Sequence, residues 1–125
     1  MKVLAAIAGP ISAKEKADYI VNIAKRLGAE LIVLHVMKRE NQGRKGEEAL
    51  NYFYEAGKKA KVKVKKILKK ADIVSAIIET AEKESADLII MGADRGKVIA
   101  EWLSEDVMRK TKIPAVVIPH ELRNL

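Results

Sequence analysis

Apolar residues fall along this chain in two kinds of pattern. Val3 to Ala8, Leu31 to Val36 and Leu88 to Met91 are continuous and rich in branched side chains, which is how strands buried on both faces of a parallel sheet read. Between them, apolar positions recur at spacings of three and four: Ala17, Ile20, Val21, Ala24 and Leu27, then Leu50, Phe53, Ala56, Gly57 and Ala60, then Val74, Ile77, Ile78 and Ala81, then Val98, Ile99, Trp102, Leu103 and Val107. Each set predicts an amphipathic helix. Val62 to Leu68 differs, because Val62 and Val64 alternate with Lys63 and Lys65, the mark of an edge strand that lysines protect from pairing with other chains. Ala115 to Ile118 is a short last strand between Pro114 and Pro119, a second edge.

Strand and helix therefore alternate four times and end on a fifth strand. The expected class is α/β, a three-layer α/β/α domain over residues 1–125 with a five-stranded parallel sheet in the order 3-2-1-4-5. That order reverses between strands one and four, so a ligand is expected in the crevice beyond Gly9 and Gly92, where those strands end.

Local signals set expected boundaries. Ser12 and Glu15 match a capping box that starts helix one, and Gly28 is placed to close it in a left-handed conformation. Lys38 to Gly46 reads as a polar loop, with Glu47 and Glu48 near the start of helix two. Asp72 can cap helix three.

The 125 residues are 49% hydrophobic and 33% charged, enough for one core that removes roughly two-thirds of the unfolded surface from water. No apolar run approaches the roughly 20 residues that span a bilayer, and no signal-peptide pattern opens the chain, so a cytoplasmic protein with no membrane partner is expected. Without cysteines, and with only His35 and His120, thiolate and zinc chemistry find no ligands. The net charge of +7 fits an anionic partner, and it fits equally a lysine- and glutamate-rich thermostable surface.

The segment Gly92 to Lys97 has the outline of a phosphate loop. It holds one residue too few between its glycines, and Val98 stands where a magnesium-binding hydroxyl belongs. The three-glycine dinucleotide fingerprint is missing after strand one, and no nucleophile elbow or triad is visible. Enzyme chemistry is therefore not expected. What remains is anion binding: helix N-termini after strands one and four, with Lys14, Lys38, Arg39, Lys69, Lys70, Arg95 and Lys97 leaving the carboxyl ends of strands, partly neutralised by Glu15, Glu40, Asp72 and Asp94. Lys58 to Lys70 contains eight lysines and no acid. A helix C-terminus and a protected edge account for them, and Tyr19, Tyr52, Phe53, Tyr54 and Trp102 fall mostly on helical faces instead of between lysines, so nucleic-acid binding is not favoured. Trp102, Phe53 and His35 are expected as packed residues.

Four stretches, Lys2 to Ile7, Ala24 to Leu31 running into Leu34 to Val36, Ala86 to Gly92, and Ile113 to Ile118, together resemble the universal stress protein family over nearly the whole chain. The resemblance implies a Rossmann-like fold, a role in stress response, and a homodimer formed through the last strand, 115–118. ATP-binding members carry an aspartate at the end of strand one. After strand four they carry a glycine, two residues, a glycine, nine residues, then glycine with serine or threonine. Here Ala8 stands for the aspartate, three residues separate the first two glycines, and Glu101 and Trp102 replace the closing pair. The resemblance thus supports the fold more strongly than ATP. Gly9, Val36, Gly92 and Gly96 match family pocket positions. An alternative ligand, another nucleotide or a phosphate-containing small molecule, would use Arg95 and Lys97 as direct charge contacts in a shortened loop.

Overall fold

A computed structural model describes residues 1–38, 40–92 and 105–119. The elements run β1 (Lys2–Ala6), α1 (Pro10–Arg26), β2 (Glu30–Met37), a 3-10 turn (Glu40–Gln42), α2 (Gly43–Ala60), β3 (Val64–Lys70), α3 (Ile73–Lys83), β4 (Leu88–Gly92) and β5 (Ala115–Ile118). Residues 105–110 are helical as well. All strand pairs are parallel, in the order β3-β2-β1-β4-β5, as the alternation of patterns predicts.

β1 is central, and its continuous apolar run is explained by burial on both sides: Val3, Leu4 and Ala5 are wholly inaccessible. Val3 and Ala5 face α1 and α2, packing with Ala13, Val21, Leu50 and Phe53. Leu4 faces the other way, with Ile77, Ala81 and Val107. The connections leaving β1 and β2 thus cover one face of the sheet, while α3 and the helical residues 105–110 cover the other. That division of helices is what opens the sheet between β1 and β4. β3 lies at one edge with Lys65 and Lys66 exposed, and the alternation with lysine identifies it correctly.

Several boundaries move. α1 begins at Pro10, with Gly9 as its N-cap and no side-chain cap bond, so the capping box at Ser12 and Glu15 is not formed. Proline at the first helical position brings a fixed φ and no N–H to satisfy, and it starts the helix two residues before the serine. α2 begins at Gly43, inside the stretch that polarity marks as loop, and Glu47 and Glu48 lie beyond its first turn. β1 ends at Ala6, although Ile7 N–H still donates to the Leu34 carbonyl at 2.9 Å, and β3 starts at Val64, not Val62.

Two end signals hold. Gly28 has φ +64°, and the Ala29 and Gly28 amides donate to the Ala24 and Lys25 carbonyls, the paired closure that a left-handed residue permits. Asp72 caps α3, accepting from Ser75 N–H at 3.1 Å. That bond, and more weakly the charges of Lys110 and Lys38, hold its carboxyl below the ordinary carboxylate range. The proposed core positions Val98, Ile99, Trp102 and Leu103 lie outside the described residues; Val107, from the same stripe, is fully buried.

Candidate functional site

The sheet register assembles the site. Ala6 pairs with Leu34 on one side and Met91 on the other, so Gly9, Val36 and Gly92 all fall at the carboxyl edge of three adjacent strands. α1 departs from β1 over one face, and the chain after β4 returns to β5 by way of Val107 on the opposite face. The strand order places the expected ligand crevice at this reversal.

Each of the three residues meets a different environment. Gly9 has φ −72° and ψ −176°, a conformation open to any residue, and a Cβ there would have nothing within 4 Å. Its surroundings are open, and beside it the first turn of α1 carries no acid, so the partial positive charge of the helix start is not offset by a side chain of that turn. Val36 is half-buried and packs with the cluster on the α3 side. Gly92 is different again: a Cβ there would stand 2.8 Å from Lys16 Nζ. The absent side chain at Gly92 is the space into which a lysine reaches.

Lys16 is 4% exposed and, among the described residues, the only charged side chain in the buried set. It was not among the expected site residues. The signal was nevertheless present, because Lys16 falls in the inward stripe of α1 with Ala13, Ala17 and Ile20, where a lysine breaks the apolar pattern. Its contact with Gly92, 76 positions away, is set by packing of α1 across the end of β4.

His35, in β2, reaches the turn that follows β1. Its Nδ1 lies 3.1 Å from the Ile7 carbonyl and 3.2 Å from the Ala8 carbonyl. Carbonyls only accept, so the ring donates from Nδ1. The histidine is thus more than a packed residue: it ties the end of β2 to the turn between β1 and α1. On its other side is Gly46, where a Cβ would stand 2.7 Å from both His35 Cδ2 and Leu68 Cδ1.

Lys14, Lys38 and Lys70 are exposed and Lys69 is half-buried at the carboxyl rim, and Lys38 acts on the Asp72 carboxyl. Arg39, Arg95, Gly96, Lys97, Asp94, Glu101, Trp102 and His120 lie outside the described residues. The lysine-rich edge is engaged in ordinary pairs: Lys58 with Glu55 at 3.2 Å, Lys63 with Glu30 at 3.5 Å and Lys65 with Glu84 at 2.5 Å. One expectation about this edge is corrected. Tyr54 does stand between lysines, with Lys58 Nζ 5.2 Å and Lys66 Nζ 4.6 Å from its ring centre, because α2 lays the ring against β3, a neighbour distant in sequence. Among the described residues no cluster of histidine and acid side chains could hold a metal, and no helix is long and apolar enough to cross a membrane.

Comparison with solved structures yields the same architecture. A universal stress protein in complex with cAMP shares 21% identity, with a TM-score of 0.79 over 97% of this chain and 98% of that one. The universal stress protein from Archaeoglobus fulgidus in complex with dAMP shares 17%, with a TM-score of 0.77 over 94% and 97%. A family protein from Arabidopsis thaliana with AMP bound shares 16%, with a TM-score of 0.72 over 97% and 92%. By sequence, no curated protein matches the chain. The model of the universal stress protein family matches residues 1–119, and the chain belongs to that family.

Proposed function

We propose that this universal stress protein works by binding, without chemical turnover, and that it holds a nucleotide or other phosphate-bearing ligand in the crevice beyond β1 and β4. The observation that carries this reading is the convergence of Gly9, Val36 and Gly92 on the carboxyl edge of three adjacent strands, with open space beside Gly9, in a fold whose solved relatives include proteins described with AMP, cAMP and dAMP. Arg95, Gly96 and Lys97, which follow β4 in the sequence, are the residues we assign to the ligand's charge on the strength of the sequence alone. A monophosphate suits it better than ATP, because a triphosphate tail needs a longer cradle of backbone donors, and the sequence has Glu101 and Trp102 in place of the glycine and hydroxyl residue of ATP-binding family members. Family membership supports a stress-response role for a cytoplasmic protein acting as a single domain. In calorimetric titration, AMP or cAMP is expected to bind and ATP to bind no more tightly. Purified protein that carries near-stoichiometric ATP would overturn the preference, and the absence of binding by all three would overturn the nucleotide reading itself.

The working unit we propose is a homodimer through β5. β5 is an edge strand, and its Val116 and Val117 are 45% and 39% exposed, whereas the opposite edge carries the lysines of β3. An apolar edge without such protection invites another strand, and a second copy of β5 supplies one. Val116→Lys is expected to convert the dimer to monomer in light scattering. An unchanged dimer would place the interface elsewhere.

A further inference from the structure

The β3 edge carries side chains that a guarded edge does not need. Tyr54 of α2 is 37% exposed, and its ring centre lies 4.6 Å from Lys66 Nζ of β3 and 5.2 Å from Lys58 Nζ of α2. Lysines alone protect an edge strand. An open aromatic ring among them adds apolar surface where the protection calls for polar groups. Lys61 is a second such residue. It closes α2 in the left-handed region, with φ +60° and ψ +39°, where glycine is favoured and a longer side chain brings strain. At the end of α1 the chain does use glycine, Gly28. Lys61 is exposed, so packing does not require its side chain, and a cation is kept where the backbone would be better served without one.

The charge of this face is only partly offset. Lys58, Lys63 and Lys65 pair with Glu55, Glu30 and Glu84. Lys59 and Lys61 have no acid partner among the described residues, and Lys66 donates to the neutral Asn51 side chain at 3.3 Å.

We propose that the face formed by Tyr54, Lys58, Lys59, Lys61 and Lys66 binds a single strand of nucleic acid, with a base stacked on the Tyr54 ring and the lysines on the flanking phosphates. A single strand offers its bases for stacking, which a duplex withholds. The ammonium groups beside the ring are on flexible stems, and moving one onto a phosphate exchanges a weak cation–π contact for a charge-assisted hydrogen bond. An acidic peptide would answer the charge and leave the ring unused.

Fluorescence anisotropy with a labelled single-stranded RNA of mixed sequence tests this, with AMP in excess to occupy the crevice. The wild type is expected to bind, with log affinity falling against log salt at a slope of about −2 to −3, the value for three or four phosphate contacts on a single strand. Tyr54→Ala is expected to weaken binding roughly fivefold to 150-fold and to leave that slope unchanged, since a stacked base is lost and no charge is. Lys61→Gly is expected to weaken binding and flatten the slope by about 0.7, while the urea midpoint stays or rises because glycine relieves the left-handed backbone. Both positions are exposed, so both variants should fold. A wild type that binds no RNA would overturn the proposal, and so would unchanged affinity in either variant. Inorganic polyphosphate competing as well as the RNA would show a surface blind to bases, and polyglutamate doing so would favour a protein partner; each overturns it too. None of these outcomes bears on the nucleotide reading of the crevice.

Discussion

Phe53→Ala is expected to lower the free energy of unfolding by about 3–5 kcal/mol, the range for truncating a fully buried aromatic side chain. Phe53 is wholly inaccessible and is among the largest of the fully buried side chains. It projects from the middle of α2 into the cluster that α1 and α2 share with Val3, Leu31 and Val33 of the sheet. No single neighbour can move to fill the space, because the alanines of α1 are short and the strands are held by their ladders. A protein of this size has about 5–15 kcal/mol in all, so the variant is expected to be marginal at 37 °C. Urea unfolding should show a lower midpoint with an unchanged slope, since the surface exposed on unfolding is nearly the same. A loss below about 1 kcal/mol would mean that α2 is packed loosely against the sheet, contrary to the burial of its whole inner face.

The legible parts of the sequence were those where one physical cause dominates. Strands buried on both faces leave unbroken apolar runs, hence β1 and β4. An exposed edge needs lysines, hence β3, and a left-handed helix end needs glycine, hence Gly28. Where two local signals competed, the sequence misled: Ser12 offered a cap, but Pro10 supplied a first helical residue two positions earlier. Polarity hid the start of α2, because its first turn is made of Gly43, Arg44 and Lys45, residues that a solvated helix and a loop share. For the candidate site, the strand ends were legible and the side-chain contacts around them were not. Gly9 and Gly92 could be located from topology alone, while Lys16 against Gly92, His35 on the carbonyls of Ile7 and Ala8, and Tyr54 beneath Lys66 are contacts between segments far apart in the chain. Composition and spacing carry no record of them. Where the family resemblance implies an acidic residue at the end of β1, this chain has Ala8, whose carbonyl accepts from His35.

Gly46→Ala is expected to act on the candidate site as well, although Gly46 is on α2, because a Cβ there meets His35. Alanine is favoured over glycine inside a helix by about 1 kcal/mol. Here the new Cβ would stand 2.7 Å from His35 Cδ2 and from Leu68 Cδ1, closer than carbon atoms approach. Leu68 can give way by rotating, but His35 cannot turn without breaking its bonds to the Ile7 and Ala8 carbonyls. Crowding of a packed site costs about 1–3 kcal/mol against the roughly 1 kcal/mol that the helix gains, so a net loss of up to about 2 kcal/mol is expected from that difference. The displaced ring would also release the turn between β1 and α1, which forms one wall of the crevice. Ligand affinity should therefore fall along with stability. Combining Gly46→Ala with His35→Ala separates the causes. If the clash with the ring is responsible, the alanine at 46 should cost little or nothing in the background that lacks the histidine, a coupling that unfolding measurements on the four proteins of the cycle would read directly. Equal costs in both backgrounds would place the strain at Leu68 and leave His35 without a part in shaping the site.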